Sequence, residues 1–245
     1  MKNNLSRFAM LVSGVLACAA ATAQAVAPEA ERAFANLPGK VLLDNARVTV
    51  TQIAVPPGQS TGRRNSRAAD LLVFIKGGVM KLTASARSVM WKDGRVVWLP
   101  SLDPADDGDA TNTGTAPIVM DVVKLKPVPA AAATAAGAGP KYRHLNYPNI
   151  PGEDVLENDE VIVQRFLVKA GQWEGPHGHH PDMLYIHVKG GQWAARSYTE
   201  KEHVYPQPDA DGSVGWMATI DPSVGHESRN AGREPIDLIW VTLKR

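Results

Sequence analysis

Cysteine is almost absent from this chain of 245 residues. The one cysteine, Cys18, lies in an N-terminal apolar segment, so the folded part of the protein has no pair of thiols that could form a disulfide. Stability in an oxidising compartment therefore cannot come from disulfides, and thiol catalysis is excluded as well. A chain of this length fits either one large all-β domain or two domains of ordinary size.

Acidic residues are missing before Glu29, whereas Lys2 and Arg7 precede an apolar run over residues 8–20. Small residues follow that run, and this order predicts a signal peptide over residues 1–25 and a periplasmic or secreted protein. Residues 15–18 form a loose lipobox, so a lipoprotein anchored at Cys18 is an alternative. An uncleaved membrane anchor is a further alternative, although the run is short for a span.

An excess of charge of either sign is also missing. Without the predicted leader, 24 basic residues stand against 25 acidic ones. No basic patch for nucleic acid or for an anionic membrane follows from such a balance. The expected partner is a small-molecule ligand or substrate, with no nucleic acid, no membrane unless Cys18 is lipidated, and a homodimer left open.

Histidine is absent from the first 143 residues, and all seven histidines follow from His144 onward. His177 and His179 stand one residue apart in the run GPHGHHPDMLYIHVKGG. On an extended strand such residues project from the same face, so both imidazoles can reach one metal ion. The pattern favours a metal site in the second half; the alternative is that the histidines only form hydrogen bonds in a polar pocket.

The chain contains two copies of one unit. Residues 43–62 align without a gap on residues 156–175 at an offset of 113, and a later block aligns at an offset of 118. The later block pairs Trp98, Asp103, Pro104, Asn112, Gly114, Pro117 and Ile118 with Trp216, Asp221, Pro222, Asn230, Gly232, Pro235 and Ile236. Five residues are therefore inserted in the second copy, and we expect them in the turn around residues 201–212. Two ungapped blocks in the same order indicate a tandem duplication.

Each copy consists of short β-branched and apolar runs separated by Gly, Pro, Asn and Asp, which is typical of an all-β sandwich or barrel. A short helix is expected over residues 28–36, and little helix elsewhere. Residues 127–145 are rich in Ala, Pro and Gly and predict a linker. The expected domains are therefore a first barrel over residues 28–126 and a second over residues 146–245.

The second copy resembles the cupin superfamily. Its first motif runs Gly, five residues, His-x-His, three or four residues, Glu, six residues, Gly, and Gly171, His177, His179 and Gly190 match that spacing. Met183 occupies the Glu position, which is a departure. The second motif is matched by Gly215, His226 and Asn230. The resemblance covers both copies and implies two tandem cupin barrels, that is, jelly rolls or double-stranded β-helices.

The resemblance implies that His177, His179 and His226 bind one divalent transition metal. With Met183 in place of Glu, the ligands are three neutral imidazoles, which leave coordination positions open for water or an anionic ligand. Iron is favoured, and zinc, nickel, manganese or copper also suit such a site.

Tyr185 and His187 share the face of Met183 by strand alternation, and we assign them as candidate catalytic residues. Tyr185 can donate a hydrogen bond to a ligand, and His187 can carry protons. The alternative is that both are buried and satisfied by neighbouring groups.

The first copy has lost the histidines. Arg64, Ser66, Asp70 and Gly108 stand at its ligand positions, so it is expected to be a degenerate barrel without metal ligands. A structural role is favoured, and an ion pair or carboxylate site formed by Arg64 and Asp70 is the alternative.

Three classes of function fit an exported metal-binding protein of two such barrels. The first is dioxygenase-type chemistry on a small, anionic metabolite at the three-histidine centre, and it is favoured. The second is a non-catalytic periplasmic protein that binds a small molecule or a metal. The third is an isomerase or lyase that uses the metal as a Lewis acid. The cupin fold hosts all three.

Overall fold

The computed structural model describes residues 34, 36–63, 70–99, 109–127 and 142–244. The predicted leader, the predicted helix apart from residues 34 and 36, and most of the predicted linker lie outside the described residues, as do Arg64, Ser66 and Gly108. In the described part the structure is built of strands, and its one helical segment is the 3-10 turn Pro222–Val224. The all-β prediction is confirmed. No helix in these ranges is both long and apolar enough to cross a membrane.

The described residues form sixteen strands, eight in each half. Those of the first half are β1 Gly39–Asp44, β2 Val48–Val55, β3 Asp70–Lys76, β4 Gly78–Leu82, β5 Ser88–Trp91, β6 Val96–Leu99, β7 Ala110–Asn112 and β8 Ile118–Leu125. Those of the second half are β9 Glu153–Glu157, β10 Val161–Val168, β11 Met183–Lys189, β12 Trp193–Ser197, β13 Glu200–Val204, β14 Val214–Met217, β15 Glu227–Asn230 and β16 Ile236–Leu243.

The strands form two antiparallel sheets in each half. A five-stranded sheet has the order β1-β2-β8-β3-β6 in the first half and β9-β10-β16-β11-β14 in the second, and a three-stranded sheet has the order β5-β4-β7 or β13-β12-β15. Strand by strand, the two orders are the same. This repetition confirms the expectation of two tandem barrels, each closed by a large and a small sheet.

The five-residue insertion lies between β13 and β14. Nine residues, 205–213, join these strands, whereas four residues, 92–95, join β5 to β6 in the first half. The inserted loop lies beside the second barrel, where its Asp209 comes within 3.6 Å of His187.

The two large sheets pack against each other. One apolar cluster takes Val50, Leu71 and Val73 from the first half and Leu184 and Ile239 from the second. Because alternate residues of the same strands point into each barrel, strands in these sheets are covered on both faces. All eight residues of β16, IDLIWVTL, are buried for this reason, which explains why the strand reads as a nearly continuous apolar run.

A hydrogen bond from each half reaches across this interface. Gln52 Nε2 donates to the carbonyl of Gly212 at 3.3 Å, and Arg165 Nη2 donates to the carbonyl of Asp93 at 3.4 Å. Gln52 and Arg165 are equivalent in the duplication. Their carboxylate partners differ, since Arg165 holds Asp237 at 2.8 and 2.5 Å whereas Gln52 donates to the buried Asp121 at 3.1 Å.

The side chains of Asn112 and Asn230 form hydrogen bonds that stabilise the same turn in each barrel. Asn230 Nδ2 donates to the carbonyls of Val168 and Glu234 at 3.0 and 2.7 Å, and its Oδ1 accepts from Gly232 N–H at 2.8 Å. Asn112 makes the equivalent three bonds at 2.8, 2.9 and 2.9 Å. The asparagine retained in both copies is therefore a framework residue.

Candidate metal centre

The three candidate ligands are brought together by the loops that follow β10 and β14. His177 N–H donates to the carbonyl of His226 at 2.9 Å, and His179 and Ile220 exchange backbone bonds of 2.9 and 3.0 Å. The 3-10 turn Pro222–Val224 precedes His226 and ends at Gly225, whose φ of 67° suits glycine. Backbone pairing thus sets His177 and His179 opposite the chain that carries His226.

The imidazoles of His177, His179 and His226 form one cluster. Their candidate ligand atoms all lie within 4.8 Å of one another, and the Nε2 atoms of His177 and His179 are 3.0 Å apart. His177 and His179 are buried and His226 is half-buried. The structure therefore brings together the three histidines that the motif spacing selected.

The protonation of these rings suits metal binding. His177 Nδ1 lies 2.8 Å from the carbonyl of Gly175, so Nδ1 carries the proton and Nε2 presents its lone pair to the cluster. Burial, with a smaller contribution from the neighbouring histidines, lowers the pKa of His177 to about 4 and that of His179 to about 3. Neutral rings with lone pairs aimed at one region are the donor set that a divalent transition metal requires.

A buried acid, Glu174, borders the cluster. Its Oε2 lies 3.9 Å from His177 Nε2, and its side chain is 3% exposed. The carboxyl accepts hydrogen bonds from Ser228 and from the hydroxyl of Tyr147. Without a metal, burial raises the pKa of Glu174 to about 8, although these hydrogen bonds act in the opposite direction.

Two aromatic residues enclose the histidines. The ring of Tyr147 lies 4.5 Å from that of His177, and the ring of Trp240 lies 5.0 Å from that of His179. Trp240 Nε1 donates to the Tyr147 hydroxyl at 2.7 Å, which joins the two rings into one wall. A wall of this kind excludes water from one side of the cluster.

Met183 belongs to the apolar cluster inside the second barrel and is fully buried. It faces the interior, as strand alternation predicts. Position 183 therefore contributes a thioether and no carboxylate to this barrel.

The two candidate catalytic residues follow Met183 on β11, where the rings of Trp240 and Trp193 contact them. Tyr185 is half-buried, and Trp240 lies next to it with ring centres 5.4 Å apart. Among the described residues, no ring contact joins Tyr185 to His177, His179 or His226. Burial raises the pKa of the Tyr185 hydroxyl, with a further contribution from Asp209.

His187 is held at both ring nitrogens. Trp193 Nε1 donates to Nε2 at 3.0 Å, so the ring proton is on Nδ1, which donates to Ser213 Oγ at 2.9 Å. Burial lowers the pKa of His187 in spite of the opposing effect of Asp209. This arrangement favours the alternative in which His187 is satisfied by its neighbours.

In the first barrel, Asp70 stands where Met183 stands in the second. Asp70 is buried at the start of β3. The other three equivalent positions, Arg64, Ser66 and Gly108, lie outside the described residues, so their expected roles stay predictions.

The motif spacing did not reveal Glu174, Tyr147 and Trp240. Glu174 had a signal in the sequence, since it is an acid inside the five-residue interval between Gly171 and His177. Tyr147 and Trp240 had none, because they reach the site from a loop before β9 and from the last strand.

No protein-family model matches the sequence, and no curated protein matches it either. Solved structures do match in fold. AerE from Microcystis aeruginosa is 9% identical with a TM-score of 0.54, over 86% of this chain and 93% of its own. YhaK from Escherichia coli is 16% identical with a TM-score of 0.50, over 83% and 88%.

A cupin 2 conserved barrel domain protein from Leptotrichia buccalis is 9% identical with a TM-score of 0.46, over 86% of this chain and 90% of its own. At such identities the likeness concerns the fold alone. The repeated strand order and the histidine motifs of the second barrel are the chain's own features. The repeated strand order agrees with the likeness in fold, and the resemblance to the cupin superfamily rests on the histidine motifs.

Proposed function

We propose that the second barrel binds one divalent transition metal, with iron favoured, and uses it to bind and oxidise a small anionic metabolite. The observation that carries this proposal is the cluster of three neutral imidazoles whose ligand atoms lie within 4.8 Å of one another. When bound, such a metal supplies open positions at which a chelating substrate and dioxygen meet.

The protein's own residues hold and shield this centre. His177, His179 and His226 supply the ligands, and the ring wall of Tyr147 and Trp240 keeps water from one side. Tyr185 is proposed to donate a hydrogen bond from its hydroxyl to the bound ligand. His187 forms hydrogen bonds at both ring nitrogens, and its ring centre lies 5.4 Å from that of Tyr185. His187 is therefore proposed to hold the Tyr185 ring in position.

The hydrogen bonds at both nitrogens of His187 also matter for the choice among an oxygenase, an isomerase or lyase, and a binding protein. An isomerase or lyase needs a side chain that moves protons, and the candidates for that task are His187, whose two ring nitrogens are both hydrogen-bonded, and Tyr185. A dioxygenase places less demand on acid and base groups. A non-catalytic binding protein would use the same cluster and differ only in turnover.

Turnover is tested by loading the protein with iron(II) without oxygen, admitting oxygen and screening anionic metabolites for oxygen consumption. We expect consumption with one class of metabolite and a product heavier by two oxygen atoms. The His179→Ala variant, treated in the same way, is the control. If a ligand that demonstrably binds the metal is never oxidised, the protein is a binding protein.

We also propose that the chain is exported, because basic, apolar and small residues follow one another over residues 1–25. Intact-mass measurement of protein recovered from the cell envelope tests this, and we expect a mass without the leader. A mass that still contains residues 1–23 would contradict export with cleavage. A mass with diacylglycerol on Cys18 would identify a lipoprotein.

A further inference from the structure

Glu174 is an acid placed beside the metal ligands but outside the histidine motifs. Its Oε2 lies 3.9 Å from His177 Nε2, the nitrogen that faces the cluster, and the two side chains are 3% and 2% exposed. Two ligands of one zinc-sized ion lie at most about 4.2 Å apart. At this distance the carboxylate oxygen and His177 Nε2 can contact one ion, whereas the group whose ligand atoms all lie within 4.8 Å of one another contains the three histidines without Glu174.

The backbone holds Glu174 in this place. Its N–H donates to the carbonyl of Ser228 at 2.9 Å, and its carbonyl accepts from Asn149 N–H at 3.1 Å. Within the described ranges, no lysine or arginine forms an ion pair with Glu174; His177 is its partner at 3.9 Å, and the neighbouring acid Glu227 adds to the cost of a negative charge there. An isolated carboxylate is costly to bury, so a charge of opposite sign is expected close by.

The first barrel provides a comparison for this position. Thr61 is equivalent to Glu174, and its N–H donates to the carbonyl of Ala110 at 2.9 Å, as Glu174 does to Ser228. The Thr61 hydroxyl accepts from Ala110 N–H at 3.0 Å, while the Glu174 carboxyl accepts from Ser228 N–H. A neutral hydroxyl therefore suffices for the structural hydrogen bond. The carboxylate occurs in the barrel that has the histidines.

A metal bound only by the three histidines would keep its full positive charge. Three neutral imidazoles leave the two positive charges of a metal uncompensated, and position 183 supplies no anion. We propose that Glu174 provides the negative charge of the metal centre, from the loop after β10 instead of from β11. This inference rests on the proposed metal site. It means that the centre is less cationic than its histidines alone suggest.

The test measures the dissociation constant of Co²⁺ for the full chain and for three variants by competition with a chelator. Glu174→Gln keeps the size and the acceptor, and Glu174→Thr introduces the first barrel's residue. We expect both to bind Co²⁺ about tenfold to a hundredfold more weakly. Glu227→Gln is the matched control, because Glu227 follows His226 but already pairs with Arg196 at 2.6 Å, and we expect less than about a threefold change.

Thermal unfolding distinguishes an electrostatic role of Glu174 in metal binding from a structural role in the fold. We expect the metal-free Glu174→Gln protein to be at least as stable as the wild type, while the rise in melting temperature on adding Co²⁺ becomes smaller. Equal Co²⁺ affinity in wild type and Glu174→Gln would overturn the inference. So would an equal loss in Glu227→Gln. If the wild type does not bind Co²⁺, both the proposed metal site and the role of Glu174 are wrong. If the wild type binds Co²⁺ and the Glu174 variants bind it equally well, only the role of Glu174 is wrong.

Discussion

Equivalent positions inside the two barrels carry different side chains on the same backbone. The pairs are Thr61 and Glu174, Leu72 and Tyr185, Phe74 and His187, and Val122 and Trp240. The first member of three pairs is apolar, while the second member is polar or can form a hydrogen bond. Phe74 stacks on Trp91 with ring centres 5.0 Å apart, whereas His187 accepts a hydrogen bond from Trp193 Nε1 at 3.0 Å.

The frame around these interiors is shared. Strand order, the asparagine turn and the retained glycines recur in both halves, and a side chain at Gly77 or Gly190 would collide with the carbonyl of Trp91 or Asp209. Sheet hydrogen bonds use the backbone, so a duplicated barrel tolerates new side chains inside as long as its turns remain. The comparison teaches that the two halves share a frame and differ in the side chains that the frame encloses.

The largest expected effect concerns the difference in histidines. His179→Ala removes one of three ligands and is expected to weaken metal binding on the order of a thousandfold, about 4 kcal/mol. Elemental analysis of purified protein should fall from about one metal per chain to almost none. His203→Ala is the control, because His203 is exposed and makes an edge-on ring contact with Tyr205. Two metals per wild-type chain, or unchanged metal in the variant, would contradict a site confined to the second barrel.

The second prediction concerns the acids at the interface. Asp121 is fully buried with Gln52 as partner of Oδ1, and its Oδ2 has no partner within the described ranges. Burial raises the pKa of Asp121 to about 7 from its ordinary value of 3.8. The folded state therefore favours the protonated acid, so stability is retained below about pH 4 and is lost as the pH rises through 7.

Asp121→Asn removes this loss. Between pH 5 and pH 8 we expect the free energy of unfolding to fall by about 3 kcal/mol less in the variant than in the wild type. Urea unfolding at the two pH values measures it. Asp237→Asn is the counterpart in the other half, and it is expected to destabilise the protein by removing the pair with Arg165. Equal pH dependence in wild type and Asp121→Asn would show that Asp121 is hydrated.

The third prediction concerns the shared frame. Asn112→Ala and Asn230→Ala each remove three hydrogen bonds from a buried turn, and each should lower the free energy of unfolding by about 2 kcal/mol. Chemical denaturation of both variants checks this. Clearly unequal losses would mean that the two turns are not equivalent in energy.

The smallest effect is expected at the surface. Lys126 pairs with Asp44 and Lys244 with Glu157, both at 2.6 Å and at equivalent places in the two halves. Solvent screens such pairs, so Lys126→Ala and Lys244→Ala should leave the melting temperature unchanged within error. A clear drop for one lysine alone would indicate that the repeats differ in their outer frame as well.

Much of this organisation was predictable from the sequence. Two ungapped blocks predicted two barrels, and the change of offset from 113 to 118 placed an insertion that the structure finds in residues 205–213. The spacing of His177, His179 and His226 selected the residues that cluster. These features are predictable because alternation along a strand and repetition along a chain are properties of the sequence itself.

Other features depended on the tertiary structure. Nothing in the sequence indicates that Trp193 and Ser213 occupy both nitrogens of His187, or that Trp240 contacts both Tyr185 and His179. Glu174 stands three residues before His177, but its burial and its 3.9 Å approach arise from pairing with the strand of Ser228. The sequence by itself determined the two-barrel plan and the three histidines that are the candidate metal ligands. Packing decided which polar groups surround them, because contacts between distant strands are set by how the sheets close.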